Sequence, residues 1–135
     1  LGKRSGGSGA ARQQLEAAFT AITAREDALT DRLLSWLNAR NDCRVIGRSD
    51  NRNSTRVPTI AFKVEGRNAG DIARRMDDFN IAIRFGDFHS RRLVEALGLQ
   101  DDGGVVRVSM VHYNTVEQVD RLTAALAQIL AETAA

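Results

Sequence analysis

Val105-Val106-Arg107-Val108-Ser109-Met110-Val111-His112-Tyr113-Asn114-Thr115 follows the turn signal Asp101-Asp102-Gly103-Gly104 and reads as a valine-rich strand that runs into a turn at Asn114-Thr115. Alternation places Val106, Val108 and Met110 on one face and Arg107, Ser109 and Val111 on the other. The guanidinium of Arg107 therefore projects from a face of small or apolar residues. Arginine cannot shed its charge, so this side chain must reach water, an internal carboxylate or a ligand anion. Two readings follow from the residues alone: a solvated sheet face, or a clamp for a carboxylate.

The rest of the composition narrows the classes. At 135 residues the chain is long enough for one domain with a real core. Hydrophobic content of 43% and charged content of 27% are those of a globular protein, and no apolar run has the length of a membrane span. The net charge of +2 comes with no basic stripe and with aromatic residues scattered singly, which argues against nucleic acid as a partner. The single cysteine, Cys43, excludes an internal disulfide and suits a reducing, cytoplasmic location. His89, His112 and Cys43 fall on different elements without ligand spacing, so no metal site is expected. Gly6-Gly7-Ser8-Gly9 lacks a preceding strand and a following Gly-Lys-Ser/Thr, so it is no phosphate loop. Asp87, His89 and Ser90 are too close on one turn to face one another as a triad.

Working outward from the central strand, residues 1–9 are Gly/Ser-rich and read as a flexible linker or expression remnant, with the domain spanning 10–135. A long helix is predicted from Ala10 to Ala39, with an apolar stripe of Leu15, Phe19, Ile22, Leu29, Leu33, Trp36 and Leu37. Its length implies packing on something beyond its own sheet, and Trp36 reads as core. Cys43–Gly47 and Thr59–Val64 read as strands, separated by a polar loop at Arg48–Arg56 that reads as a mobile surface segment in preference to a binding loop. Pro58 sits where a proline is tolerated, at a strand's start. Asn68 is the expected N-cap of a helix from Ala69 to about Phe79, closed by Asn80 in a left-handed conformation. Ile81–Phe85 is a third strand; Ser90 caps a short helix carrying Leu93, Val94 and Leu97; Gly98 ends it. Thr115 with Gln118 forms a capping box for the last helix, whose buried stripe is Val116, Val119, Leu122, Leu126 and Ile129. His112 reads as a packing or edge histidine.

This order gives an α+β domain: a small antiparallel or mixed sheet of about four strands with helices packed on one face. The second and third strands, joined through a helix by a right-handed crossover, should be parallel with the fourth strand between them.

Three runs carry a resemblance. Arg56-Val57-Pro58-Thr59-Ile60-Ala61-Phe62, then Ile83-Arg84-Phe85-Gly86-Asp87-Phe88-His89, then Gly104-Val105-Val106-Arg107-Val108-Ser109 continuing into His112-Tyr113-Asn114-Thr115 and Val119-Asp120-Arg121-Leu122 are similar, in order and spacing, to the C-terminal small domain of class V aminotransferases. Within that family of pyridoxal phosphate enzymes of fold type I, the chain most resembles the cysteine desulfurase and selenocysteine lyase branch.

The resemblance implies that Arg107 binds the substrate α-carboxylate, with the planar fork that arginine offers a carboxylate. It makes Asn114 a second candidate substrate-binding residue, although Asn114 also reads as fixing the Tyr-Asn-Thr turn. The loop at His89 corresponds to the one that presents a nucleophilic cysteine in true desulfurases; here the position is His89, the one candidate catalytic loop residue, and Cys43 does not replace it. The cofactor implied for the intact protein is pyridoxal phosphate on a lysine of a large domain. Neither Lys3 nor Lys63 has that context, so no cofactor-binding residue is expected here. The resemblance thus implies an excised C-terminal piece of a longer, homodimeric enzyme acting on an amino acid, a piece that alone holds no cofactor and turns nothing over. An aminotransferase, lyase or epimerase of the same superfamily, or a non-catalytic binding or assembly module using the helix face around Trp36, is the alternative.

Overall fold

In a computed structural model that describes residues 11–51 and 56–132, Ile60, Phe62 and Val64 alternate with half-buried residues along a strand, β2 (Thr59–Val64), and are almost wholly buried. Around it lie α1 (Ala11–Asn38), β1 (Cys43–Ile46), α2 (Ala69–Met76) followed by a 3-10 turn at Asp77–Phe79, β3 (Arg84–Gly86), α3 (Arg91–Ala96), β4 (Val105–Ser109) and α4 (Val116–Ala131). The sheet order is β1-β2-β4-β3 with every neighbouring pair antiparallel. β2 and β3 are therefore parallel, with β4 between them, as the crossover argument requires.

One face of the sheet carries Val45, Ile60, Phe62, Val64, Val106 and Val108. Against it pack Leu29, Leu33 and Leu37 of α1, Ile72 and Met76 of α2, and Val119, Leu122, Leu126 and Ile129 of α4 in one buried cluster. Trp36 lies partly buried at its margin with the Arg40 guanidinium 5.0 Å from the ring centre. A second, smaller cluster of Val94, Leu99 and Val105, with Ile46, Ala61 and Phe88 packed on it, sits on the opposite face. The three longer helices share one face as expected; α3 and the residues after it cover part of the other.

The caps follow the sequence closely. Asn68 Oδ1 accepts from Gly70 N at 2.9 Å and from Asp71 N, Asn80 closes the 3-10 turn at φ 54°, and Thr115 and Gln118 form the reciprocal capping box. Four expectations need correction. The strand expected from Ile81 begins only at Arg84, because residues 81–83 lie off β4. β4 ends at Ser109, since Met110 already bonds back to Pro58 O and Val111 enters the turn held by Asn114. The apolar stripe of α1 is buried only from Leu29 onward, leaving Leu15 and Phe19 59% and 64% exposed. Of Leu93, Val94 and Leu97 on α3 only Val94 is buried, and Ser90, expected to cap that helix, makes no capping bond through its side chain.

Residues 1–9 and the tip of the polar loop lie outside the described residues. The flanks of that loop are tied down: Asn38 Nδ2 donates to Ser49 O, Asn51 Nδ2 to Asp27 Oδ1, and an Arg56 guanidinium N–H to Thr59 O at 3.0 Å.

Candidate functional site

Register determines what surrounds Arg107. Ile46 pairs with Ala61, Ala61 with Arg107, and Arg107 with Arg84, so these residues form one row across the face opposite the main core. One step along, Thr59 pairs with Ser109 and their hydroxyls lie 3.4 Å apart. One step the other way, Gly86 opposes Val105. The two backbones converge just before β4: a Cβ on Gly104, at φ +87°, would lie 2.5 Å from the carbonyl carbon and oxygen of Gly86. Only glycine fits that approach, and it holds Arg84 and Arg107 in register.

The chain leaves β3 through an unusual loop. Gly86 has φ +118°, and Phe88 and His89 follow at φ 50° and 65°. Left-handed conformations cost non-glycine residues about 1–2 kcal/mol each. Asp87 holds them there, its Oδ1 accepting from His89 N at 3.0 Å and its carbonyl from Ser90 N at 2.8 Å. The outcome is that Phe88 folds back over the sheet and lies under the Arg107 guanidinium, 3.9 Å from the ring centre. Arg107 is half-buried, and its Nε is buried with no hydrogen-bond partner. An unsatisfied buried donor on a charged group costs about 1–3 kcal/mol, so the site is suited to an acceptor from outside. Stacking on Phe88 fixes the plane of the guanidinium, and a planar carboxylate is the acceptor that such a fork matches.

The other sequence-derived candidates sort by position. His89 is exposed on the same loop, one residue beyond Phe88. Asn114 has both amide groups engaged within its turn: Oδ1 accepts from Val111 N at 2.9 Å and Nδ2 donates to Gln118 Oε1 at 3.0 Å. It borders a cavity of about 220 Å³ between residues 80–83 and the start of α4, lined also by Ile81, Ile83, Ser109 and Arg121. That cavity opens where β3 falls short of its predicted length. His112 packs edge-on to the exposed ring of Tyr113 at 5.6 Å between centres.

Cys43 is half-buried on β1, and burial, reinforced by the neighbouring Asp42 carboxylate, pushes its thiol up to about 11. It is a thiol rather than a thiolate at neutral pH. Lys63 is bonded to Asp102 at 2.8 Å and Glu65 at 3.2 Å, and these bonds raise its pKa, so it is held as an ammonium. Among the described residues no group of three His, Cys, Asp or Glu side chains is placed to hold a metal ion.

Arg84 was not singled out from the sequence, although it carries the same signal as Arg107: a charged residue inside an apolar strand pattern, Ile83-Arg84-Phe85. Arg56 is the other residue not singled out. Its Nε is buried without a partner, and burial, then the charge of Arg48, lowers its pKa.

Comparison with known proteins places the family and the fold. The sequence profile of the family described as Aminotransferase class-V matches residues 5–122. The aminotransferase-like protein FGM3 of Gibberella zeae is 44% identical over 114 residues, which are 83% of this chain and 28% of that protein. The cysteine desulfurase-like protein ustD of Aspergillus flavus is 37% identical over 112 residues, 81% of this chain and 26% of that protein. The apo cysteine desulfurase of Thermococcus onnurineus shares the fold with a TM-score of 0.73 at 24% identity, over 87% of this chain and 28% of that one. The chain thus spans roughly a quarter of the length of the proteins it matches. By its profile match across most of its length, by its relatives and by its fold, the chain belongs to the aminotransferase class-V family.

Proposed function

We propose that this chain is the C-terminal domain of a longer pyridoxal phosphate-dependent, cysteine desulfurase-like enzyme, in which Arg107 binds the α-carboxylate of an amino-acid substrate and the loop carrying Phe88 and His89 borders the site. The observation that carries this reading is the half-buried Arg107 guanidinium, laid on Phe88 with an Nε that no group of the chain satisfies. Arginine cannot lose its charge, and a bidentate carboxylate satisfies both charge and geometry. The family uses pyridoxal phosphate, but the described residues do not fit its attachment. A Schiff-base lysine must become a free amine, whereas Lys63, the sole lysine among them, is fixed between two carboxylates. The cofactor belongs, in this proposal, to the rest of the longer protein, which is a cytoplasmic homodimer, and the chain alone is inactive.

What this chain contributes is binding and orientation. Arg107 anchors one end of the substrate, the Phe88 ring excludes water from one side of the guanidinium, and the Asp87 turn keeps that ring in place. A second reading within the same superfamily, transamination, lyase or epimerase chemistry rather than desulfuration, is favoured by one observation. The loop offers His89 where a desulfurase needs a thiol, and the sole cysteine is half-buried on β1 with its pKa pushed up to about 11.

The test is an amino-acid titration of the full-length gene product loaded with pyridoxal phosphate, followed by its absorbance. Arg107→Gln should leave the cofactor band intact and raise the amino-acid concentration needed at least about tenfold, the loss of one charged hydrogen-bonded contact. Unchanged amino-acid affinity in Arg107→Gln would contradict the assignment, and sulfane sulfur released from cysteine would decide for desulfuration.

A further inference from the structure

Arg84 and Arg107 oppose each other on β3 and β4 as Arg44 and Lys63 do on β1 and β2, but there Lys63 is neutralised by Glu65 and Asp102. Like charges directly opposite on neighbouring strands repel, and the side chains of such a pair rise from the same face about 5 Å apart at their origins. Several other cations of the chain are neutralised locally. Arg74 meets Asp71, Arg75 meets Glu132, Arg91 meets Glu95, and Lys63, on the same sheet face, takes both Glu65 and Asp102. Neither the Arg84 nor the Arg107 guanidinium has an ion pair or hydrogen bond among the described residues. The acids nearest to them along the chain are engaged elsewhere: Asp87, nearest to Arg84, accepts from the His89 N–H through Oδ1, and Asp102, nearest to Arg107, is paired with Lys63.

We propose that Arg84 and Arg107 form a double guanidinium site for an amino acid with a second carboxylate on its side chain, of the aspartate or glutamate type. Arg107 takes the α-carboxylate and Arg84 the side-chain carboxylate. This rests on the Arg107 assignment made above and adds the substrate class to it. Two planar forks side by side at the strand spacing match two planar carboxylates better than one tetrahedral anion. Arg107 is stacked and half-buried, hence fixed, whereas Arg84 is exposed and free to adjust to the length of the side chain. Gly104, by holding the register of β3 on β4, positions both.

The experiment is a side-chain nitrogen NMR titration of the 135-residue chain, following the Nε–Hε resonances of Arg84 and Arg107 at low ionic strength with L-aspartate, L-alanine and inorganic phosphate. L-aspartate should shift both resonances and bind up to about fivefold tighter than L-alanine, which should shift Arg107 alone; fivefold is the upper end of what one further exposed ion pair supplies. Arg84→Gln should bring aspartate to within about twofold of alanine and leave alanine binding as it was. Equal affinities for aspartate and alanine, with Arg107 alone shifting, would overturn the second-carboxylate proposal and leave the Arg107 assignment standing. Silence of both resonances with every amino acid would overturn both. Phosphate shifting both as tightly as aspartate would also overturn the proposal, since it would show an unselective anion site.

Discussion

The two faces of one sheet obey opposite rules. On the helix-covered face, Phe62, Ile60 and Val106 are fully buried against α1, α2 and α4, and no charged group lies among them. On the other face the same strands present Arg44, Lys63, Arg84 and Arg107, relieved only where Val94, Leu99 and Phe88 cover Ala61 and Val105. A single alternating strand, Val105–Ser109, supplies both, so the face that holds the fold together and the face proposed to meet a ligand are one residue out of step. The first gains its stability from buried apolar area. The second keeps a guanidinium without a partner, at a cost the first can bear.

The sharpest way to break this comparison is to truncate one side chain on each face. Phe62→Ala should destabilise the chain by about 3–5 kcal/mol in urea unfolding, through lost burial and the cavity left behind. Arg107→Gln should change the same measurement by no more than about 1 kcal/mol, because the stacking lost on Phe88 is offset by relief of the unpaired Nε and of repulsion from Arg84. Equal losses at the two positions would mean that Arg107 is structural. Gly104→Ala comes next in magnitude, about 2–4 kcal/mol. Its Cβ would meet the Gly86 backbone at 2.5 Å in a left-handed conformation, and unlike Phe62→Ala it should also weaken carboxylate binding by disturbing the β3–β4 register. Thr115→Ala removes the N-cap of α4 and should cost about 1 kcal/mol, without effect on carboxylate binding, because α4 packs on the other face.

The smallest effect concerns Cys43, whose pKa of about 11 in the folded chain lies above its ordinary value because burial favours the neutral thiol. The stability linked to that protonation is fully present below the unfolded thiol's pKa and is lost as pH rises through about 11. Alkylation by iodoacetamide at pH 8 should accordingly be slower in the folded chain than in urea, with the difference closing toward pH 11. Equal rates at pH 8 would show the thiol to be accessible and ionised.

Much of this arrangement is legible in the sequence where a local rule operates alone. The caps at Asn68, Asn80 and Thr115 depend on short-range hydrogen bonds or backbone preference and fall where those rules put them. Arg107 is legible for the same reason, as a charge inside an apolar alternation. Boundaries set by long-range pairing are not: Ile81–Ile83 has strand composition but no partner strand, and Leu15 and Phe19 continue a helical stripe beyond the point where α4 and the sheet meet it. The pairing of Arg84 with Arg107 also escapes local reading. It exists only through the register of two strands separated by α3, and that register depends on glycine contacts between Gly86 and Gly104. The folding of Phe88 onto Arg107 needs two consecutive left-handed residues, which sequence preference argues against at phenylalanine and which the Asp87 turn enforces.

The most direct test of Arg107 as a carboxylate ligand is to follow its Nε–Hε resonance while the chain is titrated in turn with L-alanine and L-alaninamide, which differ only in the carboxylate. The account predicts a saturable shift of Arg107 with alanine, none with alaninamide, and no shift with either of Arg40, whose guanidinium is already paired with Asp42 and held over Trp36. A response of Arg107 to both compounds, or to neither, would contradict it.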